Sequence, residues 1–424
     1  MSNKESSALP LKAQETLLQE AYEQLKSLNL NLDITRGKPC SEQLDLSIEL
    51  DGILAGNYIS QQGIDCRNYG GLDGLVEARS IGSWLLDAPL DEIMVGSNSS
   101  LTFMYQYISQ AHHHGLESEG SAWNLMKGGV RFLCPTPGYD RHFSICEHLG
   151  IEMIPVAMTG NGPDMDQVEE LMRNDPSIRG MWCVPKYSNP TGDIYSDETV
   201  QRIANLGKLA ASDFRIFWDN AYSVHDLTDQ PKQIANIRQL CLDAGTEDSL
   251  VQFASTSKIT FAGAGISFLS STKKNIKIFT DHLGFRSIGP DKINQLRHAR
   301  FFTEQAQLAT HMKKHAAIIK PKFTRVLELL ESELGDQTGA TWTKPEGGYF
   351  ISFNTRPGLA KEVVKLCAEA GVKLTPAGAS FPYGNDPEDN NIRLAPTLPT
   401  IDELDQAIRV FVVCVKLATA RSTH

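Results

Sequence analysis

The chain has 424 residues, of which 41% are hydrophobic and 21% charged, with a formal net charge of −11. That length suits two packed units rather than one small core. The acidic balance excludes an extended nucleic-acid surface, on which Lys and Arg would dominate one face. An acidic protein that handles small anions must instead gather positive charge locally. The eight cysteines (Cys40, Cys66, Cys134, Cys146, Cys183, Cys241, Cys367 and Cys414) are scattered, with no Cys-x-x-Cys pair. They read as reduced thiols rather than a disulfide or zinc framework. No apolar run reaches the roughly 20 residues that span a bilayer, and Met1–Pro10 is polar without the apolar stretch of a secretion signal. The expectation is a cytoplasmic protein with no membrane or nucleic-acid partner. His112, His113 and His114 would point in different directions on a helix and have no flanking Cys or carboxylate cluster, so no metal is expected.

In chain order, apolar residues at helical spacing predict an amphipathic helix over Leu11 to Leu28. Between about Asp65 and Leu283, short apolar runs then alternate with helical stretches. The runs are Glu92 to Gly96, Val130 to Cys134, Ile151 to Ala157, Gly180 to Val184, Ile216 to Trp218, Val251 to Ala254 and Gly265 to Leu269. Short buried strands separated by helices predict a mostly parallel sheet covered on both faces, with its ligand-binding loops at the carboxyl ends of the strands. A long helical pattern follows over 285 to 334. Strands are expected over Thr341 to Phe353, Val372 to Thr375 and Asn391 to Leu394, and a last helix over Thr400 to Ala418. The expected division is an N-terminal arm and part of a small domain (1–57), a large domain (58–314) and a C-terminal small domain (315–424).

Five motifs fall at predicted strand ends. Gly96-Ser97-Asn98-Ser99-Ser100 opens a predicted helix, where free backbone N–H groups and the helix dipole suit a phosphate. Pro135-Thr-Pro-Gly-Tyr139 offers an aromatic ring for a flat ligand to stack on. Asn189-Pro-Thr-Gly192 aims an amide, and Asp219-Asn-Ala-Tyr222 places a carboxylate and a phenol where they could meet a protonated pyridine and a phenolic oxygen. Ser255-Thr-Ser-Lys258 ends on a lysine that could bond an aldehyde cofactor. Taken alone, each has an ordinary reading as a turn, a cap or a surface residue. Their order along the chain is the informative feature.

That order resembles the fold-type-I, class I aminotransferases that depend on pyridoxal phosphate (PLP), over nearly the whole chain. The resemblance implies an α/β fold with a mostly parallel seven-stranded sheet in a large domain and a smaller α/β domain. It implies that Lys258 carries PLP as a Schiff base, that Asp219 pairs with the pyridine nitrogen, and that Asn189 and Tyr222 meet the phenolic oxygen. Tyr139 would stack on the ring. Ser97, Asn98, Ser99 and Ser255 would hold the phosphate, with Tyr69 in Tyr69-Gly-Gly-Leu-Asp-Gly reaching the site of the other subunit in a homodimer. Arg393 would grip the substrate α-carboxylate.

Relatives carry a phosphate-binding arginine about eight residues after the lysine, where Ile266 stands here, and Lys292 is the candidate substitute. Within the family, the segments Thr35-Arg-Gly-Lys-Pro39 and Ile288 to Arg297 are most similar to a divergent bacterial aspartate aminotransferase branch. In that light Arg36 would face a second carboxylate, and the expected reaction is ping-pong amino transfer from aspartate or another dicarboxylic amino acid to a 2-oxo acid such as 2-oxoglutarate. A PLP-dependent lyase or decarboxylase on the same scaffold, or a PLP-binding regulatory module, remains open at this point.

Overall fold

The computed structural model describes residues 11–117, 119–335 and 338–422; the polar start Met1–Pro10 lies outside them. Its strands are β1 (Leu32–Asp33), β2 (Ile93–Val95), β3 (Arg131–Thr136), β4 (Glu152–Ala157), β5 (Ile178–Cys183), β6 (Arg215–Asp219), β7 (Leu250–Ser255), β8 (Ser267–Ser270), β9 (Thr341–Trp342), β10 (Ile351–Asn354), β11 (Val372–Lys373) and β12 (Asn391–Leu394).

Seven of them form one sheet in the order β2-β8-β7-β6-β5-β3-β4. Only β8 runs against its neighbours, so β2 and the five other strands all end at one edge. Every residue of β5 and β6 is buried, which is why residues 180–183 and 216–218 within them read as unbroken apolar runs rather than alternating ones. Side chains of β6 feed both faces. Phe217 joins Phe103, Tyr107 and Phe132 on one side, while Ile216 and Trp218 join Val168, Met181 and Ile203 on the other.

The remaining strands belong to a separate core. The helix Leu11–Ser27 sends Tyr22 into a cluster with Phe353, Val363, Ile408 and Phe411, and the Tyr22 hydroxyl donates to the Leu366 carbonyl at 3.1 Å. Next to it β1 pairs in parallel with β11, Leu32 opposite Val372, and β9, β10 and β12 form an antiparallel sheet of order β12-β10-β9. The chain's beginning is thus stitched to its last third.

Two sequence expectations need correction. The stretch Thr341 to Phe353 is two strands, because Pro345, Gly347 and Gly348 break it, Gly348 at φ +76°. The helical pattern over 285 to 334 begins only at Lys292, where Asp291 caps the helix Lys292–Phe301 by accepting from Asn294 N–H, and it breaks before a second helix, Gln305–Glu333.

Candidate active site

The loops at the carboxyl edge of the large sheet converge on a cavity of about 260 Å³. Its wall includes Tyr139 after β3, Asn189 after β5, Asp219 at the end of β6 with Tyr222 beyond it, and Ser255 and Lys258 at and after the end of β7. Parallel strands explain this convergence, since each delivers its C-terminal loop to the same edge. Arg36, Ser99 and Arg393 complete the predicted residues that line it, brought in by the N-terminal segment, the start of the helix Ser100–His114 and β12.

Asp219 is 3% exposed. One carboxylate oxygen lies 3.1 Å from His142 Nε2, and the other is buried with no partner among the described residues. A buried carboxylate oxygen left unpaired is costly unless a donor arrives, so this oxygen is a ready acceptor for a protonated ring nitrogen. His142 is held in turn by a flat stack on Trp182, with ring centres 4.0 Å apart and planes within 3°.

Lys258 Nζ lies 4.8 Å from the centre of the Tyr222 ring. Burial pushes its amine below the usual lysine range, opposed by the attraction of Asp219. Burial also raises the Tyr139 phenol to about 12, helped by Asp219, and raises Tyr222 further. Both tyrosines therefore stay neutral and able to donate at ordinary pH.

Arg393 is 5% exposed and stacks at 4.9 Å on the Phe350 ring. Its guanidinium donates to Asp140 Oδ1 at 2.9 Å and Asn189 Oδ1 at 3.2 Å, while its Nε has no partner among the described residues. It is a fixed cation with donors to spare.

Four predicted residues do not line this cavity. Ser97 lines a neighbouring hollow with Gly289, Pro290 and Asp291. Asn98 braces the loop from outside: its amide donates to the Gly263 carbonyl at 3.3 Å, and its own carbonyl accepts from Ser257 Oγ at 2.7 Å. Tyr69 is 80% exposed. Lys292, the candidate for the missing arginine, is buried with its ammonium against the Gly70 carbonyl at 2.5 Å. Ile266 packs into the core with Ile81, Val95 and Phe268, so its position offers the cavity nothing.

Sequence reasoning missed Lys38, Asp140, Arg141 and Phe350, which line the cavity, and His142 behind Asp219. Asp140, Arg141 and His142 directly follow Tyr139, and three polar residues opening a helix after a strand end were the available signal. Five basic side chains, Arg36, Lys38, Arg141, Lys258 and Arg393, thus face two carboxylates, Asp140 and Asp219. The acidic chain concentrates its positive charge here.

A crystal structure of an aspartate transaminase from Corynebacterium glutamicum superposes with a TM-score of 0.94 at 46% identity, covering 98% of this chain and 97% of that one. Fold and site together define a PLP-dependent aminotransferase of fold type I. The model of the aspartate amino-transferase family matches residues 5–424, and the chain belongs to that family. Among its relatives, an aspartate aminotransferase of C. glutamicum is 47% identical over 404 residues, 95% of this chain and 93% of that protein. A putative aminotransferase of Mycolicibacterium smegmatis is 46% identical over 415 residues, 97% and 96%.

Proposed function

We propose that this aminotransferase takes its amino group from a dicarboxylic amino acid, aspartate foremost, and passes it to a 2-oxo acid such as 2-oxoglutarate. The observation that carries this reading is the excess of cations in the cavity. Arg393 suffices for an α-carboxylate, yet Arg36, Lys38 and Arg141 also line the wall and form no ion pair among the described residues. Unpaired guanidinium groups facing a cavity suit a second carboxylate.

PLP, when bound, supplies an aldehyde for the amine and a ring that accepts negative charge from the substrate α-carbon. Lys258 would hold it covalently, and the lysine amine would serve as the base that moves the α-proton. The free oxygen of Asp219 would keep the ring nitrogen protonated, Asn189 and Tyr222 would donate to the phenolic oxygen, and Tyr139 would cover the ring face. The start of the helix Ser100–His114, with the hydroxyls of Ser99, Ser255 and Ser257 lining the cavity beside it, would hold the phosphate, where the helix dipole favours an anion.

We assign residues 1–57 to an N-terminal arm and part of a small domain, 58–314 to the large domain and 315–424 to the rest of the small domain, with a cytoplasmic homodimer as the working form. Tyr69, Phe285 and Ile288, 80%, 94% and 62% exposed, sit on loops brought together where Gly289 meets Gly70. Such an apolar patch suits a second copy of the chain, whose site Tyr69 would complete.

The test is a half-reaction screen, in which each amino acid is added to the PLP-loaded enzyme and conversion to the pyridoxamine form is followed by absorbance. Aspartate and glutamate should convert fastest, and borohydride should label Lys258. A label elsewhere, or preference for a monocarboxylic donor, would overturn the assignment.

A further inference from the structure

The peptide that carries Lys258 is held in an unusual way. Buried carbonyls in a turn are ordinarily paired by backbone N–H groups, but the consecutive carbonyls of Lys258 and Ile259 receive side chains drawn from distant parts of the chain. His225 Nε2 lies 3.2 Å from the Lys258 carbonyl and the Tyr349 hydroxyl donates to it at 3.4 Å. His311 Nε2 and His315 Nε2 lie 2.7 and 2.9 Å from the Ile259 carbonyl.

One residue joins the two pairs. The Gln43 amide nitrogen donates to the Tyr349 hydroxyl and to His315 Nδ1, each at 3.0 Å, while its oxygen accepts from Cys40 N–H at 3.2 Å. Gln43 and Tyr349 are fully buried and the three histidines nearly so. Burial holds His225 to about 3 and His315 to about 4, with His311 also below its ordinary value. All three rings are therefore neutral, and Gln43 fixes the tautomer of His315. His315 must carry its proton on Nε2 to leave Nδ1 as Gln43's acceptor, and that Nε2–H faces both the Ile259 carbonyl and His311 Nε2, 3.1 Å away.

We propose that Gln43 is a positioning residue for Lys258, aligning the donors that fix the orientation of the lysine's peptide and hence the direction in which its amine enters the cavity. The network also ties that peptide to the substrate's seat. Tyr349 is followed by Phe350, on which Arg393 stacks, and Gln43 follows the segment that brings Arg36 and Lys38 to the cavity wall. None of these network residues touches the reacting atoms. The inference rests on the PLP-lysine reading above.

The experiment compares the PLP-loaded wild type with Gln43→Met, which keeps length and removes both donors, and Tyr349→Phe, which keeps packing and removes the hydroxyl. Both variants should lower kcat by about tenfold with KM within about twofold, and both should change the visible circular dichroism of the lysine-bound cofactor at full occupancy. Wild-type kcat and an unchanged dichroism band in either folded variant would overturn the role of Gln43. Borohydride labelling in the same preparations separates the two readings. A label on Lys258 with an unchanged band refutes only this inference, whereas no label on Lys258 refutes the assignment on which it rests.

Discussion

Asp219 has its two oxygens in unequal surroundings, one against His142 and one unpaired. This asymmetry predicts how Asp219→Ala fails. PLP would keep its lysine bond and phosphate contacts, so occupancy should fall little. The ring would lose its protonating partner, and kcat should drop by more than about tenfold, a barrier change above about 1.4 kcal/mol. Absorbance-based occupancy and turnover measured on one preparation decide it, and a smaller drop would remove the electron-sink role. A second contrast concerns the two arginines. A charge-assisted bond to a distal carboxylate is worth roughly 1.5 to 3 kcal/mol, so Arg36→Ala should cut kcat/KM for aspartate and glutamate by about one to two orders of magnitude while sparing alanine and phenylalanine. Arg393→Ala should weaken all four alike. Equal losses across substrates for Arg36→Ala would place that residue in structure instead.

Elements position these residues through close backbone approaches. Gly192 ends the turn that carries Asn189. It sits at φ +77°, and a methyl group there would lie 2.6 Å from Pro345 Cβ in the loop between β9 and β10. A left-handed conformation costs a residue with a side chain about 1 to 2 kcal/mol before any clash. Gly192→Ala should therefore lower the thermal midpoint and raise KM by displacing Asn189. Gly263, in the glycine-bearing loop after Lys258, has nothing within 4 Å of an added methyl group and no positive φ. Gly263→Ala should change stability by less than about 0.5 kcal/mol. Thermal unfolding of the two variants side by side tests the contrast, and a Gly263 variant as unstable as the Gly192 variant would contradict it.

At the scale of the whole molecule, the buried histidines set the acid response. Burial lowers His298 and His315 from 6.5 to about 4 and His225 to about 3. Unfolding lets each take up a proton near its ordinary value, so the unfolded chain binds more protons as pH falls. Their stabilisation is complete above about pH 6.5 and is lost as pH drops toward 4. Each such group contributes a slope of up to about 1.4 kcal/mol per pH unit inside that window. Denaturant midpoints measured across it should fall steeply for the wild type and less steeply for His298→Gln, which keeps a polar group beside Thr260. Parallel curves for the two proteins would show that His298 is not held neutral.

Much of this was legible in the chain itself, because apolar runs report burial directly and because a parallel sheet sends the residue after each strand to one edge. Tyr139, Asn189, Asp219, Tyr222 and Lys258 could be named from their places after strands, and the PLP-dependent aminotransferase class came from the resemblance of their order to that family. What involves long separations could not be named. Lys292 reads as a free cation until the fold brings Gly70 to it across 222 positions. No local pattern marks Gln43, which meets His315 and Tyr349 across 272 and 306 positions. The sequence by itself determined which side chains leave the sheet at its binding edge, since periodicity and turn residues are local properties. Only the tertiary structure decided which cations stay unpaired in the cavity and which polar groups brace the lysine from beneath, because both depend on partners that no local pattern encodes.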